Sequence, residues 1–166
     1  MDRLGSESVT YEGSDPEDPS VCLVRFGDGR KGRSLAGLFT QPAPDEASLR
    51  HGLADLFPLA PGRRTSFIWR TPITGSPEEV GVFQESWRVT GERAVRVGRS
   101  SRRVWLVERE QRNVSGNESR FAYRYDVQYQ IDRETGAPLS FRARSTTRDG
   151  STAPVPGWTA TFIKVP

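Results

Sequence analysis

The stretch Arg120-Phe-Ala-Tyr-Arg-Tyr-Asp-Val-Gln-Tyr-Gln-Ile-Asp132 alternates with a period of two. Phe121, Tyr123, Tyr125, Val127, Tyr129 and Ile131 hold the odd positions. Arg124, Asp126, Gln128 and Gln130 hold the even ones, with Ala122 the exception. Successive side chains of a strand point to opposite faces, so this pattern predicts a β-strand with one tyrosine-rich apolar face and one polar face. Tyrosine buries a ring and still offers a hydroxyl, so such a face suits a core or a partly wet pocket. Tyr123, Tyr125 and Tyr129, joined by Trp69 and Trp87 from other strands, are the candidate ligand-binding residues. Core packing is the competing reading of the same row.

The neighbouring sequence has the same grammar. Val9–Glu12, Val21–Phe26, Arg64–Thr71, Val82–Thr90, Glu92–Val97, Arg102–Arg112, Leu139–Thr146 and Trp158–Val165 read as strands. Turn signals separate them, including Gly98-Arg-Ser-Ser101 and Asp132-Arg-Glu-Thr-Gly136. Extended back to Glu118, the tyrosine strand would span roughly 40 Å at ~3.4 Å per residue, and a strand that long bends. Short links between strands force antiparallel pairing, because a parallel crossover needs about a dozen residues or more.

One helix interrupts this plan, predicted over 45–57. Asp45 is positioned as its N-cap. Leu49, Leu53, Leu56 and Phe57 share a face, and Pro58 ends the element. His51 falls on the opposite, solvated side. The fold class that follows is mainly β: a strongly curved antiparallel sheet of about eight strands, a half-barrel or open barrel, with one packed helix. Residues 1–166 read as a single domain with its main β region over 62–165 and residues 1–6 frayed.

Composition narrows the chemistry. The chain has 166 residues and a formal charge of +3, with 24 Lys and Arg against 21 Asp and Glu. Only Lys31 and Lys164 are lysines. The arginines are dispersed among acids, which reads as a coding bias more than as the clustered footprint of a nucleic-acid binder. An arginine-mediated nucleic-acid binder stays as an alternative. Cys22 is the one cysteine and His51 the one histidine, so neither an internal disulfide nor a tetrahedral zinc site is expected. No cofactor or metal is expected. No run reaches the ~20 apolar residues of a membrane helix. The N-terminus lacks the apolar core of a signal peptide. The expected location is periplasmic or envelope-associated if a leader has been removed, and cytoplasmic otherwise.

Gly27-Asp-Gly-Arg-Lys-Gly-Arg-Ser34 nearly matches a phosphate-binding loop, but Arg33 stands where that loop needs lysine. The segment reads as a hairpin turn. No G-x-S-x-G is present, and a lone histidine on the polar side of a helix supplies no triad. Asp15, Glu17 and Asp18 do not have EF-hand spacing and read as an acidic loop. Asn113-Val-Ser and Asn117-Glu-Ser match the glycosylation acceptor pattern, which acts only in a eukaryotic secretory pathway. Glu108 and Glu110 share one strand face and are the residues for a second alternative, a carboxylate-dependent hydrolase. Their arginine neighbours, Arg109 and Arg112, favour a solvated ion-paired face.

Three segments carry a resemblance. Leu56-Phe-Pro-Leu-Ala-Pro-Gly62 leads into the Phe67 and Trp69 strand. Gly91-Glu-Arg-Ala-Val-Arg-Val97 and Val104-Trp-Leu-Val-Glu108 form a hairpin pattern. Tyr129-Gln-Ile-Asp-Arg-Glu-Thr-Gly-Ala-Pro-Leu-Ser-Phe141 combines an aromatic strand with an acidic turn. Over about residues 56–146 the chain resembles β-rich bacterial envelope domains of unknown function. Their usual Pro-Ala-Gly hairpin turn is replaced here by Gly98-Arg-Ser-Ser101. The resemblance implies a periplasmic or envelope-attached binding or structural module without catalytic residues. Its partner would be an apolar small molecule or an envelope protein.

Overall fold

The computed structural model describes residues 9–41, 45–73, 76–115, 123–151 and 159–161. The frayed terminus, Phe121, Asn117 and most of the last predicted strand lie outside them. The described chain is mainly β, antiparallel throughout, with one helix. Its strands form two sheets that do not close into a barrel.

The smaller sheet runs in chain order: β1 (Val9–Ser14), β2 (Val21–Phe26), β3 (Lys31–Leu35) and β4 (Phe39–Gln41). Sequence reading missed β3 and β4. Lys31-Gly-Arg-Ser-Leu35 shows no apolar alternation, and its pairing with β2 and β4 makes it a strand. The phosphate-loop lookalike is the β2–β3 hairpin turn, closed by the Gly29 amide donating to the Phe26 carbonyl at 2.9 Å. Gly29 has φ 86°, a conformation that glycine adopts without Cβ strain.

The larger sheet contains β5 (Arg64–Ile73), β6 (Ser76–Val97), β7 (Ser100–Asn113), β8 (Arg124–Asp132), β9 (Pro138–Thr146) and β10 (Thr159–Thr161), ordered β10-β9-β8-β7-β6-β5. The two strands expected on either side of Gly91 are one strand, β6. A bulge between Val89 and Gly91 absorbs the irregularity without ending the pairing to β7. Gly98 and Arg99 make the tight turn into β7.

The helix α1 covers Glu46–Ala54, shorter than the expected 45–57. Asp45 precedes it but is no side-chain cap: it sits at φ 47° and ψ 49°, and its carboxylate accepts the Arg70 amide at 3.0 Å instead. The acid therefore ties the helix entrance to β5. Leu49, Leu53 and Leu56 are buried as the apolar spacing required, whereas Phe57 is 38% exposed because the helix has already ended. His51 is exposed.

The core lies between the helix and smaller sheet on one side and the inner face of the larger sheet on the other. Val21 and Leu35 come from the smaller sheet, the three leucines from the helix segment, and Trp69, Phe83, Trp87, Val127 and Tyr129 from the larger sheet. Each buried aliphatic or aromatic side chain contributes about 1.5–3 kcal/mol. The helix approaches β5 very closely. Thr65 Oγ1 donates to the Gly52 carbonyl at 2.7 Å, and a Cβ on Gly52 would stand 2.1 Å from the Phe67 ring. Gly52→Ala is therefore expected to destabilise the protein by about 1–3 kcal/mol despite alanine's better helix propensity. Urea unfolding checks this. Gly52→Ala combined with Phe67→Ala should lose less stability than the separate losses added together, and strict additivity would refute the overlap.

Cys22 is partly buried, and that burial pushes its thiol pKa upward. Arginines pair with the acidic loop. Asp15 pairs with Arg33 at 2.9 Å and Asp18 with Arg50 at 2.7 Å. Among the described residues no cluster of His, Cys, Asp or Glu has metal-site geometry.

Candidate functional site

Alternation divides the larger sheet into two chemically different faces, and register aligns each into transverse rows. On the inner face, Thr65, Trp87, Arg109, Val127 and Ala143 stand opposite one another. The adjacent row is Phe67, Glu85, Gln111, Tyr125 and Ser145. A charged pair thus lies in the apolar phase of β6 and β7.

Glu85 is fully buried. Arg109 Nε donates to its Oε2 at 2.8 Å and Arg109 Nη2 to its Oε1 at 2.7 Å, a two-point fork. Trp69 Nε1 and Gln111 Nε2 add donors to Oε1 at 2.9 and 3.0 Å. The guanidinium is boxed by rings, with its carbon 4.8 Å from the Phe39 centroid, 5.2 Å from Trp87 and 5.9 Å from Tyr125. Burial alone would lower the Arg109 pKa. The Glu85 carboxylate and the Tyr129 hydroxyl more than offset this and raise it. Burial pushes the Tyr129 hydroxyl up, with Arg109 opposing. Both oxygens of the Glu85 carboxylate are thus engaged by charge-assisted bonds from Arg109.

Four of the five aromatic candidates join this interior. Trp87 is 2% exposed and stacks on Tyr129 with centroids 5.8 Å apart. Trp69 and Tyr129 are each 8% exposed, and Trp69 stacks on Phe83 at 5.0 Å. Tyr125 is half-buried beside Arg109. Tyr123, also half-buried, lies under Arg148 at 5.0 Å, at the end of the described strand. The structure therefore brings Trp69, Trp87, Tyr125 and Tyr129 together around one ion pair and leaves Tyr123 at the periphery.

Arg109 corrects one expectation. It was placed with Glu108 and Glu110 on a solvated face, but alternation turns it to the opposite side. Glu108 instead pairs with Arg88 and Glu110 with Arg112 and Arg124. The signal was present in the sequence. Glu85 falls in phase with Phe83, Trp87 and Val89, and Arg109 falls in phase with Val107, so both were marked as inward charges.

The outer face is polar and hollowed. A cavity of about 740 Å³ lies over β5–β8, lined by Arg64, Ser66, Ser86, Arg88, Glu108, Glu110, Asp126 and Gln128 among others. A second, of about 470 Å³, continues over β6–β9 and shares Glu108 and Gln128 with the first. Three rows of this face are Arg64-Arg88-Glu108-Gln128-Arg142, Ser66-Ser86-Glu110-Asp126-Arg144 and Ile68-Gln84-Arg112-Arg124-Thr146. Glu110 and Asp126 are directly opposed, and Arg124 bridges them at 2.7 and 2.9 Å.

Neither a protein-family model nor a curated protein sequence matches this chain. Among solved structures, it is similar to the hypothetical lipoprotein YmcC from Escherichia coli (K12). The likeness has a TM-score of 0.52 at 13% identity and covers 95% of this chain and 77% of that one. At that identity the likeness is one of fold: the chain shares an architecture with that hypothetical lipoprotein.

Proposed function

We propose that this chain is a non-enzymatic module of the bacterial envelope that works by binding a partner through the hollowed outer face of its larger sheet. One observation carries the reading. The aromatic face is already occupied by the helix and the smaller sheet, whereas the polar face is open over cavities of about 740 and 470 Å³. The fold likeness to a hypothetical lipoprotein supports the location. Among the described residues, no helix is long and apolar enough to cross a membrane.

The carboxylates of the hydrolase reading are poorly placed for it. Glu108, Glu110 and Asp126 are each held by arginine, so their oxygens are already engaged in ion pairs. Of the apolar-ligand candidates, Trp69, Trp87 and Tyr129 are engaged in core stacking, and Tyr123 and Tyr125 are half-buried. The outer face takes their place in this proposal.

The test is a native mass spectrum of protein purified from a bacterial host, repeated for Ser86→Trp, which fills the larger cavity. A bound species present in the parent and missing in the variant, at equal Tm, supports the reading. A species that survives Ser86→Trp but is lost in Tyr125→Ala, again at equal Tm, returns the site to the aromatic face. A hydrolytic activity abolished by Glu108→Gln or Glu110→Gln at unchanged Tm would show that the module is an enzyme.

A further inference from the structure

The outer face carries more positive charge than its carboxylates can neutralise. Arg64 and Arg88 are directly opposed on β5 and β6. Like charges in that position repel. Arg88 is relieved by Glu108, and Arg124 is shared between Glu110 and Asp126. Arg64, Arg142 and Arg144 are exposed and make no ion pair among the described residues. Register sets them apart on the face: Arg64 on the edge strand β5, Arg142 and Arg144 on β9, which β10 flanks. Ser86 and Gln128 stand between them on β6 and β8, and Ser66 stands beside Arg64 on β5, the neutral hydrogen-bonding side chains of the floor.

We propose that this trough binds an extended acidic segment of a partner polypeptide, a reading that rests on the outer face being the binding surface. Guanidinium forks accept carboxylates at two points, and three of them are unoccupied. The Gln128 amide both donates and accepts, which matches a peptide group, and the Ser86 hydroxyl can do the same, while Ser66 already donates to the Glu85 carbonyl. No aromatic side chain stands in the three outer rows, and the rings bordering the cavities, Trp87, Tyr129 and Phe141, pack together in or against the core, so the trough lacks the stacking platform that single-stranded nucleic acids use. Its concavity also excludes a flat lipid surface.

The experiment measures binding of a short fluorescent oligoglutamate to the whole chain by anisotropy, at low and at physiological salt. Binding is expected at low salt and should weaken as salt rises. Arg64→Ala with Arg142→Ala is expected to reduce affinity by about tenfold or more, with Tm unchanged because both side chains are exposed and unpaired. The corresponding double Arg→Lys variant should recover only part of it, since an ammonium lacks the fork. Absence of binding at low salt overturns the proposal, as does equal affinity of parent and double-alanine variant. It also fails if a single-stranded oligonucleotide binds more tightly than oligoglutamate through the same arginines. A species found on the outer face by native mass spectrometry that oligoglutamate does not displace would keep the binding module while removing its acidic partner.

Discussion

Arg109→Met is expected to lower the stability of this protein by about 3–5 kcal/mol, the usual consequence of stranding a buried charge. The substitution keeps an unbranched apolar stem in the ring-lined space under Phe39, Trp87 and Tyr125. What it removes is the fork that neutralises Glu85. The carboxylate would keep only the Trp69 and Gln111 donors, in a position with no solvent access. A loss of this size is a large share of the ~5–15 kcal/mol that holds an ordinary domain together. Urea unfolding reads it directly. Glu85→Leu combined with Arg109→Met is expected to recover most of the loss, because removing both charges leaves none stranded. A single-variant loss below about 1 kcal/mol, or a double variant weaker than the single, would mean that the pair is solvated in solution.

Trp87→Ala should cost about 3–5 kcal/mol as well, for a different reason. Trp87 touches three parts of the structure at once. Phe39 of the smaller sheet lies 5.9 Å away, Tyr129 of β8 lies 5.8 Å away, and Arg109 of β7 lies over its ring. Truncation opens a cavity where the two sheets meet. The indole Nε1 is buried without a hydrogen bond, so Trp87→Phe loses volume but no polar partner and should cost clearly less than Trp87→Ala. Trp69→Phe contrasts with it, because the Trp69 indole donates to Glu85. Thermal unfolding of the variants orders them. If Trp87→Ala left Tm unchanged, the aromatic row would not be the core, and the pocket reading of that face would regain its standing.

The two outcomes bear on function together. An inner face whose residues are each worth several kcal/mol is committed to folding. That leaves the charged rows of the outer face, whose side chains contribute little to stability, to meet a partner.

The mainly β, antiparallel character was legible in Arg124–Asp132, where period-two alternation survives intact, and in the leucine spacing that placed the helix. Those signals are local: a strand's two faces and a helix's stripe are written in neighbouring residues. The boundaries were less legible. Asp45 looked like an N-cap because residue type alone suggests one, but its carboxylate is taken by the Arg70 amide across space. Gly91 looked like a strand break because a bulge and a break share the same glycine signal.

Only the tertiary structure decided how the strands were shared out. β3 became a strand through its pairing with β2 and β4, and the ten strands among the described residues separated into sheets of four and six because β1–β4 pair only among themselves. It also decided which arginine meets which acid. Arg109 is adjacent in sequence to Glu108 and Glu110, yet the pleat turns it inward to Glu85, 24 residues away. Alternation along one strand is a property of the chain. Opposition across strands is a property of register, and register is set by long-range pairing that no local pattern records.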